Sequence, residues 1–197
     1  MKYISYLRQR FNKYDFPVFR VSDVKIEFSD KKISSSYIHL MLYNLNKKGE
    51  IRRVTKSAYT FHNDVSVVGF AFEPFYYGFE SALSIMGFSD QGTNLTVVTP
   101  RNVRAGIRAF EGRNYRIKRI KKEHFFGYKS IKYGNFWIPV SDLEKTLIDM
   151  ISLNDHIKDE VKASILKNIN RKILNKYLEN YDIKLKGKVI EWIKKLT

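Results

Sequence analysis

Residues 33–61 read ISSSYIHLMLYNLNKKGEIRRVTKSAYTF. Ser34, Ser35 and Ser36 are candidate N-caps, because a hydroxyl there accepts a backbone N–H that a first helical turn leaves unpaired. Ile38, Met41, Leu42 and Leu45 follow at i, i+3, i+4 and i+7, which places them on one helical face. Gly49 stops the helix, and two short basic strands, Glu50 to Val54 and Tyr59 to Phe61, come after it. Helix, glycine stop and hairpin in that order predict a recognition helix followed by a wing, an arrangement used to read duplex DNA.

Upstream, Tyr3, Ile4, Leu7 and Phe11 recur at helical spacing among basic residues, and Pro17 ends that segment. Ser22 is placed as the N-cap of a short second helix containing Val24 and Phe28, with Ser29-Asp30 as the turn after it. Residues 1–62 therefore read as a winged helix-turn-helix.

The composition shifts after His62. An aromatic-rich segment, Phe70 to Phe79, leads into a short helix from Glu80 to Met86. Period-two stretches then predict a small antiparallel or mixed sheet: Leu95 to Val98, Tyr115 to Lys118, and Ile131-Tyr133 turning at Gly134-Asn135 into Phe136 to Val140. Ser141 and Glu144 have the S-x-x-E spacing of a capping box for a helix with Leu143, Leu147, Ile148 and Ile151 inward. Three further helical patterns follow, over Ile157 to Ile169, Arg171 to Tyr181 and Gly187 to Leu196. The expected fold is α+β, with residues 1–62 as DNA-binding domain, 63–155 as a mixed α/β domain, and 156–197 as a basic helical tail packed on the second domain.

Charge agrees with a polyanionic partner. The 197 residues carry 36 Lys and Arg against 20 Asp and Glu, a formal charge of +16. The excess is +8 in residues 1–62, +2 in 63–155 and +6 in 156–197. Clustered cations of this kind bind nucleic acid through counterion release and long-range steering. There is no cysteine, which removes disulfides, thiolate metal sites and cysteine nucleophiles. The start of the chain lacks the apolar core of a signal peptide, and no run approaches the roughly 20 apolar residues of a spanning helix. A cytoplasmic protein without membrane association is expected.

Opposite the buried stripe, the predicted third helix presents Ser36, Leu40, Tyr43 and Lys47, flanked by Tyr37, His39 and Asn44, and Ser35 is a further DNA-contact candidate. Ser and Asn can hydrogen-bond base edges, Tyr and Lys can reach phosphate, and an outward Leu suits a thymine methyl. In the wing, Arg52, Arg53 and Lys56 are placed for phosphate or the adjacent minor groove. A second basic run comprises Arg101, Arg104, Arg108, Arg113, Arg116, Lys118 and Arg119, where the guanidinium forks suit phosphate or an acidic partner. Alternation in Tyr115 to Ile120 equally predicts an ordinary solvated sheet face.

Enzyme signatures are sparse. His39, His62, His124 and His156 have no ligand spacing, and no phosphate-binding glycine loop or nucleophile elbow is present. No catalytic residue, metal or cofactor is expected. The competing reading is a metal-dependent nuclease, because Glu160-Val161-Lys162 has the E-x-K form that pairs with an upstream Asp142 or Asp149 to hold magnesium. That triplet falls on a predicted helix rather than a strand. A third reading is a protein-binding winged helix.

The pattern Leu42-x-x-Leu45-x-x-x-Gly49-x-Ile51-x-Arg53, closing on Ala58-Tyr59, resembles the winged-helix part of the AbiEi-type abortive-infection antitoxins. Downstream motifs occur in that family's order: Glu80-Ser81-Ala82-Leu83 with Gly87-Phe88, Thr99-Pro100-Arg101, Phe126-Gly127, and the stretch Val140-Ser141-Asp142-Leu143-Glu144-Lys145-Thr146-Leu147-Ile148-Asp149. The resemblance covers roughly residues 1–155 and implies a non-enzymatic repressor of a type IV toxin-antitoxin operon. Such a protein binds inverted repeats upstream of its own operon, where a homodimer would sit. Its functional partner is a nucleotidyltransferase-like toxin, whose direct binding is not implied. By position, Ser36, Tyr37, His39, Tyr43, Arg52, Arg53 and Lys56 inherit the DNA-contact role. The chain departs from the pattern at Lys56-Ser57, where a glycine-bearing turn is expected, and in its basic helical tail.

Overall fold

The computed structural model describes residues 2–31, 33–89 and 94–195. The fold is mixed α+β, and the described residues form one three-stranded and one six-stranded sheet. The chain forms two compact units: residues 1–73 with 109–113 and 132–137, and the remainder.

The first unit begins with α1 (Lys2–Phe11), β1 (Phe19–Arg20) and α2 (Val21–Glu27). It continues through a 3-10 turn at Ser29–Lys31 to α3 (Ser35–Lys47) and the hairpin β2 (Arg52–Thr55) and β3 (Ala58–Thr60). The strands lie in the order β1-β3-β2, with both pairings antiparallel. Leu7, Val24, Phe28, Ile38, Leu42, Leu45 and Ile51 form the core, and Phe11 stacks on Phe19 with ring centroids 4.9 Å apart. α1 is held by ion pairs from Arg8 to Glu50 (3.0 Å) and Arg10 to Glu27 (2.8 Å). The Tyr6 hydroxyl also donates to Glu27, and that bond, with the one from Arg10, holds the Glu27 carboxyl below its ordinary range.

Helix α3 ends in a Schellman motif. The Glu50 N–H donates to Leu45 O and the Gly49 N–H to Asn46 O, both at 3.0 Å. Gly49 sits at φ +71°, where a side chain would be strained. The start of α2 differs from expectation. Arg20, rather than Ser22, is the N-cap, because the Asp23 carboxylate reaches back to accept the Arg20 N–H at 2.7 Å. A 3-10 segment, Val65–Phe72, closes the N-terminal stretch.

The second unit contains β4 (Tyr76–Tyr77), α4 (Phe79–Ile85), β5 (Leu95–Thr99), β6 (Gly106–Phe110) and β7 (Arg113–Arg119). After a 3-10 turn at Lys122–His124 come β8 (Tyr128–Tyr133), β9 (Phe136–Ser141), α5 (Leu143–Ser152), α6 (Asp159–Asn168), α7 (Arg171–Leu178) and α8 (Ile183–Lys194). The tips of the β6–β7 and β8–β9 hairpins group with the first unit. The sheet order is β6-β7-β5-β4-β9-β8, and it is mixed: β5 runs parallel to β7 and β4 parallel to β9, while β4 and β5 are antiparallel.

Every residue of β5 is buried, as expected of a strand covered on both faces. α5 is buried from Leu143 through Met150 and packs on α4, α7 and α8. Tyr76, Phe79, Leu83, Val98, Leu147 and Ile165 form one core cluster; Ile148, Leu174, Leu178, Tyr181 and Val189 form another.

The capping box expected at Ser141 and Glu144 is absent. Asp142 caps α5 by accepting the Lys145 N–H at 2.8 Å, while Ser141 ends β9 with its hydroxyl 2.7 Å from Thr146 Oγ1. Glu144 instead accepts the Asn170 N–H at 2.6 Å and so fastens the start of α7. The last helix begins at Ile183, four residues before the expected Gly187, because Asp182 supplies a cap. Its expected end at Leu196 lies outside the described residues. No helix among the described residues is long and apolar enough to cross a membrane.

Candidate nucleic-acid interface

Ser34 starts α3 by accepting the Tyr37 N–H at 3.2 Å. With Ile38, Met41, Leu42 and Leu45 turned inward, Ser35, Ser36, Tyr37, His39, Leu40, Tyr43, Asn44 and Lys47 are all exposed. They divide into two groups. Tyr37, Leu40 and Asn44 line a shallow groove with Tyr3 and Ile4 of α1, and the Tyr37 ring meets Tyr3 edge-on at 6.3 Å. Ser36, His39, Tyr43 and Lys47, at i, i+3, i+7 and i+11, form the open stripe beside that groove. Leu40 and Tyr43 are 55% and 60% exposed.

The three basic residues of the hairpin behave differently from one another. Arg53 folds over its own turn, donating to Thr55 O and Lys56 O at 3.1 Å each, which fixes the tip. Arg52 donates to Glu111 at 3.2 Å and to Phe61 O at 3.5 Å. Lys56 is exposed, and like Lys47 it has no ion-pair partner among the described residues. The hairpin charges that no carboxylate meets among the described residues are therefore Lys56 and Arg53, the second of which also rigidifies the turn, while Arg52 is paired with Glu111.

The second basic run separates. Arg101 and Arg104 are exposed, and Arg108 donates to Arg104 O at 3.0 Å. Arg113 groups with the first unit. The expected alternation is present in β7, with Tyr115 and Ile117 buried, but Arg116 and Lys118 turn to Asp155 at 3.2 and 3.0 Å rather than to open solvent. Both also lie over the Phe79 ring. Arg119 donates to Asn102 Oδ1 at 2.7 Å.

Glu160 and Lys162 are on α6, where Lys162 pairs with Asp159. Both aspartates suggested as their magnesium partners are occupied. Asp142 caps α5 and accepts the Tyr177 hydroxyl at 2.7 Å; Asp149 is paired with Lys145. No group of three or more His, Asp or Glu among the described residues is arranged to hold a metal ion.

Sequence reasoning missed a buried polar network in the second unit. Lys145 and Asp149, one turn apart on α5, are 0% and 2% exposed and form an ion pair. Tyr76 donates to the other Asp149 oxygen, and the Lys145 ammonium also donates to the Tyr181 hydroxyl at 2.8 Å. The ammonium lies 5.0 Å from the Phe126 ring centroid. Burial pushes Lys145 down and Asp149 up in pKa, each opposed by the charge of the other. The same burial raises Tyr181, while desolvation pushes Tyr177 up to about 12 with help from its bond to Asp142. The sequence signal was a Lys and an Asp at i and i+4 on a helix that also carries Leu143, Leu147, Ile148 and Met150.

No protein-family model matches the chain, and no curated protein does. Among solved structures, the fold is similar to that in the crystal structure of the RV2827C protein from Mycobacterium tuberculosis, with a TM-score of 0.62 and 11% identity. The alignment covers 98% of this chain and 75% of that one. At that identity the likeness is one of fold.

Proposed function

We propose that the first unit is a winged helix-turn-helix, that it binds a specific DNA operator with α3 in the major groove and the β2–β3 hairpin as wing, and that the chain is a transcriptional repressor. The observation that carries this reading is the exposed stripe Ser36, His39, Tyr43 and Lys47 on a helix followed directly by a basic hairpin. Serine and histidine can hydrogen-bond base edges, whereas Lys47 and Lys56 are cations open to phosphate. The charge of +16 supports the same partner. Together with the ordered AbiEi-type motifs, it supports the role of antitoxin in a type IV system, exerted without enzymatic activity and without an assumed complex with the toxin.

The test is a mobility-shift titration on the DNA upstream of the gene against an unrelated fragment, at two salt concentrations. Retention of the upstream fragment at the higher salt is expected. Ser36→Ala or His39→Ala should narrow the gap between the two fragments, by about 1–3 kcal/mol for each base that is no longer read. Lys56→Ala should weaken both fragments alike and reduce the salt slope by about 1. Equal, salt-labile binding to both fragments by the unaltered protein would refute operator recognition.

A further inference from the structure

The Lys145–Asp149 network borders a cavity of about 530 Å³ within the second unit, in the size range of about 300–1,000 Å³ typical of small-molecule sites. Asp149 and Tyr181 line it, and the His124 ring stacks on Tyr181 at 4.1 Å between centroids. Arg119, Lys121, Lys184 and Lys188 also line the cavity.

The charge around it is unbalanced. Two of the cavity's carboxylates are paired with ammonium groups, Asp149 with Lys145 and Glu123 with Lys121, while the third, Asp182, accepts the Leu185 N–H at 2.8 Å as the cap of α8 and keeps its charge. Lys184 and Lys188 have no carboxylate partner among the described residues, and Arg119 holds only the Asn102 amide oxygen. Lys184 and Lys188 lie one turn apart on α8, a spacing at which like charges repel. Three cations against the one carboxylate without an ammonium partner, Asp182, leave the lining net positive and suited to a multiply charged anion, and a guanidinium among them favours phosphate. Inorganic phosphate would leave most of the volume and the aromatic wall unused. A heteroaromatic base can lie against the His124 ring, which Tyr181 backs.

We propose that this cavity binds a nucleotide, with its phosphate held by Arg119, Lys184 and Lys188 and its base against His124. A free nucleotide and the phosphorylated end of a nucleic-acid strand share this chemistry. The site lies wholly in the second unit, so it stands or falls independently of operator binding.

Isothermal titration calorimetry of the full chain with AMP, GMP, CMP, UMP, adenosine, inorganic phosphate and a 5′-phosphorylated tetranucleotide tests the assignment. At least one mononucleotide should bind one to one and at least about tenfold tighter than phosphate or adenosine. Lys184→Ala with Lys188→Ala should weaken that binding at least about tenfold, while Lys172→Ala with Lys176→Ala, equal in charge but on exposed positions of α7, should leave it unchanged. Tighter binding of the tetranucleotide than of any mononucleotide would place the source at a strand end. Two outcomes would overturn the proposal: no nucleotide preferred over inorganic phosphate, or equal weakening by both double variants.

Discussion

Replacing Lys145 with methionine keeps most of the side-chain volume and removes the charge, so it isolates the electrostatic part of the buried network. The ammonium has two hydrogen-bond partners, Asp149 and Tyr181, and neither Lys145 nor Asp149 is open to water that could substitute. In the variant, the Tyr76 hydroxyl is the one donor to Asp149 that remains among the described residues. Removing one partner of a buried pair leaves an uncompensated charge and costs roughly 3–5 kcal/mol. Desolvation already favours the protonated acid at Asp149, so part of that cost can be relieved by proton uptake, which places the loss near the lower end. The double variant Lys145→Met with Asp149→Leu removes both charges and should recover at least about half of the loss, because a buried ion pair is worth little against apolar packing of similar volume. Urea denaturation followed by the fluorescence of Trp192, which packs against the same unit's core, measures both effects. A single-variant loss below about 1 kcal/mol, or a double variant equal to the sum of the two singles, would refute the claim that the pair is energetically coupled.

Gly127→Ala should destabilise the second unit by at least about 2 kcal/mol through overpacking and a left-handed backbone. The residue has φ +70°, and a Cβ there would lie 2.8 Å from Lys145 Cβ and 2.9 Å from the Tyr177 ring; equilibrium denaturation reads the loss. The His124 ring is pushed below its ordinary pKa of 6.5 by burial and then by the Lys145 charge. A histidine depressed in the folded state lets the unfolded chain bind more protons, so its contribution is full above about pH 6.5 and is lost as pH falls below that value. The raised Asp149 carboxyl acts in the opposite direction, so the measurement is the difference between the unaltered chain and His124→Gln from about pH 7.5 to about pH 5.5. The unaltered chain should lose stability relative to the variant over that range.

Local patterns were legible where neighbours in sequence are neighbours in space. The inward and outward faces of α3 follow from spacing alone, because Ile38, Met41, Leu42 and Leu45 can share only one helical face. The hairpin turning at Gly134-Asn135 was equally readable. Caps were harder, since Ser22 and Ser141 are suitable residues whose neighbours Asp23 and Asp142 supply the acceptors. Strand β1 has two residues and takes its identity from pairing Phe19 with Tyr59, far along the chain. The stripe on α3 was found from periodicity, whereas the cavity was not. Tyr76 lies 73 residues from Asp149, and Tyr181 lies 36 from Lys145, distances over which no local pattern operates. Likewise Arg116 and Lys118 read as outward charges until Asp155 is placed opposite them.

The hairpin tips that group with the first unit bear on how the protein is made. His62 meets Phe136 edge-on at 5.1 Å, and Arg52 binds Glu111, so two partners of the N-terminal stretch are encoded well downstream of it. A ribosome that has translated Glu73 must add roughly 60 more residues, about 3–12 s of synthesis, before Trp137 exists. During that interval the N-terminal segment lacks Glu111 and Phe136, the neighbours that Arg52 and His62 meet in the finished fold. A fragment cut at residue 62 or 73 would lack those neighbours permanently.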